Sequence, residues 1–234
     1  MKKGNWIVCL PFYLLVGILM IGISQGGSRA VTEAVQTIAE ENRLTVLIDP
    51  GHGGIDGGAT SCTGVLESGI NLEISLRLRD LLQLMGYKTK MVRTTDISVA
   101  TAGQTIAETK MSDLKQRVRM ANEQPNTLLV SIHQNTFSDS RYGGAQVFYA
   151  PTEGSRELAS RMQSAFAATV NPGSNRKCKP AEGIYLMQHI KCPGVLVECG
   201  FLSNPAEESK LRSSDYQKQL CCVIAASVSL DLQV

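Results

Sequence analysis

The sequence predicts an α/β fold: a single domain with a twisted, mostly parallel sheet of about six strands, flanked by helices on both faces and preceded by an N-terminal apolar helix. Two observations predict it. From residue 43 onward, short runs rich in Val, Ile and Leu alternate with longer amphipathic stretches, a pattern typical of strand–helix–strand crossover units. The chain has 234 residues, and the part beyond its N-terminal apolar run has the length of one domain.

Six short apolar runs are predicted strands: residues 44–48, 87–93, 128–132, 146–149, 183–186 and 195–197. Four longer stretches are predicted helices: residues 71–85, 112–124, 153–170 and 216–230. Gly86 follows the first helix where a left-handed C-terminal cap would lie, Ser112 can cap the second, and Pro125 ends it. Residues 97–111, rich in Thr, Ala and Gly, are predicted to form a mobile excursion between a strand and a helix.

The N-terminal segment predicts export. Lys2 and Lys3 precede residues 6–23, which carry no charge. This run lies between the core of a signal peptide and a membrane span of about 20 residues. We therefore expect residues 1–30 to be a signal peptide or a membrane anchor, residues 31–43 a linker, and residues 44–234 the folded domain outside the cytoplasm. The small residues near position 27 permit cleavage, but no clear A-x-A box is present, which slightly favours a retained anchor.

Composition excludes several classes of protein. Charged residues make up 19% of the chain and apolar residues 43%, which is ordinary globular usage and excludes disordered and fibrous proteins. The net charge is only +2 and the basic residues are scattered, so we expect no nucleic-acid partner. Six cysteines lie outside the apolar run without a regular spacing, and Cys178 with Cys192 is the pair that we would test first for a disulfide.

Unusual polar residues follow three of the predicted strands. His52 lies in a segment with five glycines between residues 51 and 58, while His133 and Glu198 directly follow buried strands. Because ligands gather beyond the carboxyl ends of parallel strands, we expect these side chains to face a common site. The glycine-rich segment lacks the phosphate-loop and dinucleotide patterns, so a nucleotide is not expected.

Two imidazoles and one carboxylate form a common ligand set for catalytic zinc, and Glu67 lies between His52 and His133 in the sequence. The three residues do not form a compact motif, so their spacing leaves open that each histidine is a hydrogen-bonded residue at a strand end. Glu198 likewise has two interpretations: a general base delivered by a buried strand, which local context favours, or an ion-paired carboxylate at the sheet edge. His189 is interpreted as a loop residue near substrate.

Four segments carry a family resemblance. Residues 48–54, 66–67, 131–135 and 195–204 resemble, in order, the motifs of the zinc-dependent N-acetylmuramoyl-L-alanine amidases of the type-3 catalytic family. The resemblance extends from about residue 44 to the C-terminus. Within the family, the short domain without wall-binding repeats is most similar to the germination-specific spore-cortex amidases of spore-forming bacteria.

The resemblance implies that His52, Glu67 and His133 bind one zinc ion per chain and that Glu198 is the catalytic acid/base. Asn135 would orient substrate or steady the loop that bears His133. The substrate would be peptidoglycan, cleaved at the amide between N-acetylmuramic acid and L-alanine, and residues 44–234 would be the amidase catalytic domain.

In the spore subtype, the resemblance implies removal of stem peptides in the cortex for muramic lactam formation and germination, in the space between the forespore membranes. Membrane attachment would come through the N-terminal segment, and an accessory membrane-associated protein could be a partner. Two departures, Gln134 where a small residue is frequent and Gly69 where a charged one is frequent, affect the fit of substrate. The alternatives are a zinc exopeptidase acting on stem peptides and a non-catalytic wall-assembly factor.

Overall fold

Six strands form one sheet in the computed structural model, which describes residues 44–123 and 125–229. Its spatial order is β2–β1–β3–β6–β4–β5. Only β4 runs antiparallel to its neighbour β6, and the other described pairs are parallel. The predicted mostly parallel sheet is thus confirmed. The strands are β1 (Thr45–Pro50), β2 (Lys88–Met91), β3 (Thr127–Asn135), β4 (Gln146–Tyr149), β5 (Lys179–Pro180) and β6 (Gly194–Phe201).

Helices cover both faces of the sheet, as predicted. One buried cluster joins Val46 and Ile48 of β1 to the apolar sides of α1, α3 and α6. The other joins Leu47, Leu129 and Leu196 to α2 and α4 on the opposite face. The helices of the described ranges are α1 (Glu67–Leu84), α2 (Ile106–Asn122), α3 (Ser155–Ala168), α4 (Tyr185–His189), α5 (Pro205–Leu211) and α6 (Ser214–Ser229).

The N-terminal apolar helix, together with the expected anchor at residues 1–30 and linker at residues 31–43, lies outside the described residues. Among the helices that are described, none combines the length and the apolar character needed to cross a membrane.

Three predicted elements differ from the structure. The strand expected at residues 183–186 is wrong, because Gly183 has a φ of 76° in a turn and α4 follows it. Helix α2 begins six residues before the expected Ser112, because Thr105 and Glu108 form a reciprocal capping box there. The excursion expected at residues 97–111 is therefore partly helical. Helix α5 was not predicted, although Asn204 caps it and Pro205 opens it.

Strands β3 and β6 extend beyond the predicted runs and carry polar residues to the edge of the sheet. His133 pairs with Glu198, and Asn135 pairs with Phe201, with a bulge between the two pairs. Residues opposite each other on neighbouring strands share a face of the sheet, and the bulge keeps both pairs on one face. Chemistry-bearing side chains of two strands therefore project to the same side.

Candidate metal centre and active site

Three sequence-distant side chains meet at the carboxyl edge of the sheet. One ligand atom each from His52, Glu67 and His133 lies within 4.8 Å of the others. Nε2 of His52 is 3.4 Å from Oε2 of Glu67, and Nδ1 of His133 is 3.0 Å from Oε1 of Glu67. The two imidazole rings stand edge to face with centroids 5.0 Å apart. The structure thus brings together the three predicted ligands.

Two glycines make this convergence sterically feasible. A Cβ atom on Gly51 would lie 2.2 Å from Cε1 of His133, so the backbone of the loop after β1 approaches the imidazole closely. Gly58 has a φ of +71°, and a Cβ there would lie 2.6 Å from Oε2 of Glu67. His52 itself has a φ of 61°, unusual for a residue with a side chain. The glycine-rich segment therefore serves the histidine–glutamate cluster.

Glu67 is the first residue of α1 and is 3% exposed. Its carboxylate accepts hydrogen bonds from the backbone N–H groups of Ala59 and Gln134, at 2.9 and 3.0 Å, and from the side-chain amide of Asn71 at 3.1 Å. Burial alone would raise the pKa of Glu67, but the hydrogen bonds and charges of His133 and His52 hold it well below its usual range. The carboxylate is therefore fixed and ionised.

His52 is oriented by an outer carboxylate. Its Nδ1 is 2.8 Å from Oδ2 of Asp56, and Lys110 is 2.7 Å from the other oxygen of Asp56. Burial opposes the charge on His52, but Glu67 and Asp56 together raise its pKa to about 9. A carboxylate that accepts a hydrogen bond from the Nδ1–H group leaves Nε2 free as a ligand atom. Such hydrogen bonds are the usual outer contacts of histidines that bind zinc. Two imidazoles and a fixed carboxylate fit a zinc ion in donor chemistry and in orientation.

Glu198 lies opposite His133 on β6. Its Oε2 atom is buried and has no hydrogen-bond partner within the described ranges. Burial, together with the negative charge of Glu67, raises the pKa of Glu198 to about 7, against smaller opposing effects of the two histidines. A carboxyl group with this pKa can take up and release a proton near neutral pH. The unpartnered Oε2 atom favours the general-base interpretation of Glu198 over the ion-paired one.

Asn135 and His189 lie outside this cluster. Oδ1 of Asn135 accepts a hydrogen bond of 2.8 Å from the backbone N–H of Thr136, which holds the start of the loop after β3. This contact favours the steadying role over contact with substrate. His189 is exposed at the end of α4, where its Nδ1 is 2.8 Å from the carbonyl oxygen of Tyr185. The thiols of Cys178 and Cys192 are both free.

Two buried arginines, Arg93 and Arg117, hold the backbone of the site. Arg93 donates to the carbonyl oxygens of Pro50 and Gly51, at 3.0 and 2.9 Å. Arg117 donates to those of Pro50 and His52, at 2.9 and 2.7 Å, and pairs with the buried carboxylate of Asp49. Buried carbonyl groups need such donors, so the arginines fix the loop that presents His52.

A cavity of about 310 Å³ opens beside the cluster. His52 and His133 belong to its lining, and Ile184, Leu186 and Leu196 provide apolar surface. The lining also includes charged side chains, among them Asp56 and Lys110, and a cavity close to a carboxyl group of raised pKa is a common form of ligand site. An α/β sheet that carries this pocket, a cluster of two histidines and a glutamate, and a carboxyl group of raised pKa at its carboxyl edge has the residue types of a hydrolase site.

Comparison with known proteins identifies the family. Residues 46–229 match the family model of N-acetylmuramoyl-L-alanine amidases, and the chain belongs to this family. The germination-specific N-acetylmuramoyl-L-alanine amidase of Bacillus subtilis (strain 168) is 38% identical over 181 residues, which cover 76% of each chain.

Solved structures of related amidases agree with this assignment. The CwlD amidase of Clostridioides difficile, solved in complex with the GerS lipoprotein, has a TM-score of 0.78 and 35% identity, and the match covers 81% of this chain and 98% of that one. An N-acetylmuramoyl-L-alanine amidase of Clostridium difficile 630 has a TM-score of 0.70 and 32% identity, over 82% of this chain and all of that one (100%).

Proposed function

We propose that this chain is a zinc-dependent N-acetylmuramoyl-L-alanine amidase that hydrolyses the amide joining the lactyl group of N-acetylmuramic acid to L-alanine in peptidoglycan. Family membership supports the hydrolase activity and the substrate. The observation that carries the chemistry is the unpartnered, buried oxygen of Glu198 on the strand next to His133. The presence of His52, Glu67 and His133 together with Glu198 argues against the alternative of a non-catalytic wall-assembly factor.

Each residue of the site has a separate task in this reaction. His52, Glu67 and His133 would hold zinc, which supplies Lewis-acid chemistry by lowering the pKa of water towards about 7 and polarising the scissile carbonyl. Glu198 takes the proton from the attacking water and returns it to the departing nitrogen of alanine. Asp56 keeps His52 in the tautomer that exposes Nε2, and Arg117 fixes the carbonyl group of the same residue.

Replacing His52 tests the metal site, and the chain offers a matched control. We expect His52→Ala to lose zinc and activity, because one of the three ligands and its link to Asp56 disappear. The exposed His189 contacts none of the cluster, so His189→Ala should keep the zinc content of the unmodified protein. Metal analysis of the purified variants checks both. Equal zinc content in the two variants would remove His52 from the ligand set.

The scissile bond is tested by digestion of two substrates. The proposed activity releases an intact stem peptide with a free alanine amine from a muropeptide, and leaves the free stem peptide uncut. Mass spectrometry of both digests resolves these products. The alternative, a zinc exopeptidase, shortens the free stem peptide and leaves the muramoyl amide intact, and this result would overturn the proposal.

We further propose a role in the spore cortex, where removal of stem peptides prepares muramic acid for lactam formation before germination. The support is similarity to a germination-specific relative. Action would then take place outside the cytoplasm, between the forespore membranes, with residues 1–30 directing the chain to the membrane. The structurally similar CwlD amidase of Clostridioides difficile was solved in complex with a lipoprotein, which supports the proposal of an accessory protein at the same membrane.

A further inference from the structure

A cluster of aromatic rings lies beside the candidate active site. Phe137 and Tyr142 belong to the loop after β3, and their ring centroids are 4.6 Å apart. Tyr142 also packs on Phe201 of β6, with 6.3 Å between centroids. Phe137 is 49% and Tyr142 47% exposed, whereas Phe201 is buried. We call Phe137, Tyr142 and Phe201 the aromatic platform.

The register of the sheet places the aromatic platform next to the catalytic residues. Phe201 follows Glu198 by three positions on β6 and pairs with Asn135, as Glu198 pairs with His133. The bulge keeps both pairs on the same face. Because of the bulge, the two pairs are separated by two positions on β3, which correspond to about 7 Å. The platform is therefore a continuation of the active site along the strand direction.

The loop that carries the exposed rings is held in place from several sides. The carboxylate of Glu207 accepts from the backbone N–H groups of Gly144 and Phe201, at 2.8 and 3.0 Å. The backbone N–H of Phe137 donates to Oγ of Ser203 at 3.0 Å, and the carbonyl oxygen of Tyr142 accepts from Asn204 at 3.2 Å. The rings are thus preorganised before any ligand arrives, which lowers the entropic cost of binding.

The two exposed rings, Phe137 and Tyr142, are not part of the core, whereas Phe201 is buried. None of the three belongs to either of the two buried apolar clusters that cover the sheet. The guanidinium group of Arg176 lies 5.1 Å from the centroid of Phe201 and covers that ring. The surface that remains open is formed by Phe137 and Tyr142. Two adjacent aromatic rings, half-exposed and held at the carboxyl edge of the sheet, are a feature of binding rather than of folding.

We propose that the aromatic platform binds a sugar ring of the glycan strand, namely the N-acetylhexosamine next to the muramic acid whose amide is cut. This inference rests on the proposed amidase function. A pyranose presents an apolar face of C–H groups, and the electron-rich face of an aromatic ring attracts the partial positive charge on their hydrogens. The lactyl group joins the scissile amide directly to the muramic acid ring, so that ring lies at the metal centre. The next sugar of the strand would then extend over the neighbouring surface at this edge of the sheet, where the platform lies.

A pair of substrates tests this proposal. One is a tetrasaccharide that carries stem peptides, and the other is a single N-acetylmuramoyl peptide without neighbouring sugars. For Phe137→Leu and Tyr142→Leu, which keep apolar volume but remove the ring face, we expect KM for the tetrasaccharide to rise about fivefold. We expect kcat on the tetrasaccharide and both constants on the single-sugar substrate to stay unchanged. An equal loss on both substrates, or no loss on either, would overturn the proposal.

A binding measurement separates this proposal from the amidase function. Peptide-free glycan strands are titrated into the full chain and into Tyr142→Leu by calorimetry, and we expect weaker binding by the variant. Leu84, 86% exposed at the end of α1, provides the control Leu84→Ala, which should bind like the unmodified protein. If no muramoyl amide is cut, the proposed function fails while this titration still decides the platform. Equal binding by Tyr142→Leu and the unmodified protein contradicts the platform alone.

Discussion

Replacing Glu198 by glutamine is expected to lower kcat about 10³-fold, which corresponds to about 4 kcal/mol of activation free energy. Glutamine keeps the shape of the side chain but cannot take a proton from water. The burial that raises the pKa of Glu198 to about 7 makes the native carboxyl group suited to accept and return that proton. Because Glu198 is not one of the three clustered ligands, the zinc content should not change.

Activity and metal content measured on the same preparation separate two roles of Glu198. Glu157→Gln removes an exposed carboxylate of α3, which packs on the other face of the sheet, and should retain full activity. Full activity of Glu198→Gln would show that another group moves the proton. Loss of zinc from Glu198→Gln would instead place the carboxylate among the ligands. The expected result, an inactive protein with a full metal complement, fits only the acid/base role.

The site could be predicted from the sequence because of a general property of parallel sheets. His133 and Glu198 follow buried strands, and the carboxyl ends of parallel neighbours meet at one edge. Their convergence therefore required only that the two strands be adjacent, as they are. Glu67 was harder to place by pattern alone, since it opens a helix that approaches from the other face. The family resemblance, rather than spacing, identified it.

The rest of the arrangement depends on tertiary contacts that no local pattern encodes. Leu186 lies in an apolar run that is compatible with a strand as well as with a helix. The turn at Gly183 interrupts the extended backbone, and α4 follows it. The aromatic platform was missed because Phe137 and Tyr142 lie in a polar loop and meet Phe201 only through the fold. The partners of Arg117 could not be predicted for a similar reason, since Asp49 and His52 are more than 60 residues away.

Replacing Arg117 by alanine is expected to lower the free energy of unfolding by about 3–5 kcal/mol. Arg117 is 3% exposed and pairs with Asp49, which is 1% exposed. Without the guanidinium group, the carboxylate of Asp49 stays buried and keeps the 2.6 Å hydrogen bond from Ser131. The carbonyl oxygens of Pro50 and His52 also lose a donor. Urea unfolding in excess chelator measures the effect on the fold without a contribution from released metal.

The same helix carries a control for the loss of an arginine. Arg119 pairs with Glu123 on the exposed side of α2, and Arg119→Ala should cost less than about 1 kcal/mol because solvent screens the pair. Similar losses in the two variants would show that helix propensity, not the buried charge of Asp49, sets the cost.

The pH dependence identifies the buried charge itself. Burial raises the pKa of Asp49, but the opposing effects of Arg117 and Ser131 are together larger. The pKa of Asp49 in the folded protein therefore lies below its usual value. A carboxyl group with a lowered pKa stabilises the fold above its unfolded pKa, and this stabilisation is lost as the pH falls through the folded value. In Arg117→Ala this contribution is absent, and protonation of Asp49 relieves the unpaired charge. The unfolding free energies of the unmodified protein and Arg117→Ala should therefore differ more at pH 7 than at pH 4. A difference that does not change with pH would mean that the lost packing of the arginine stem causes the destabilisation.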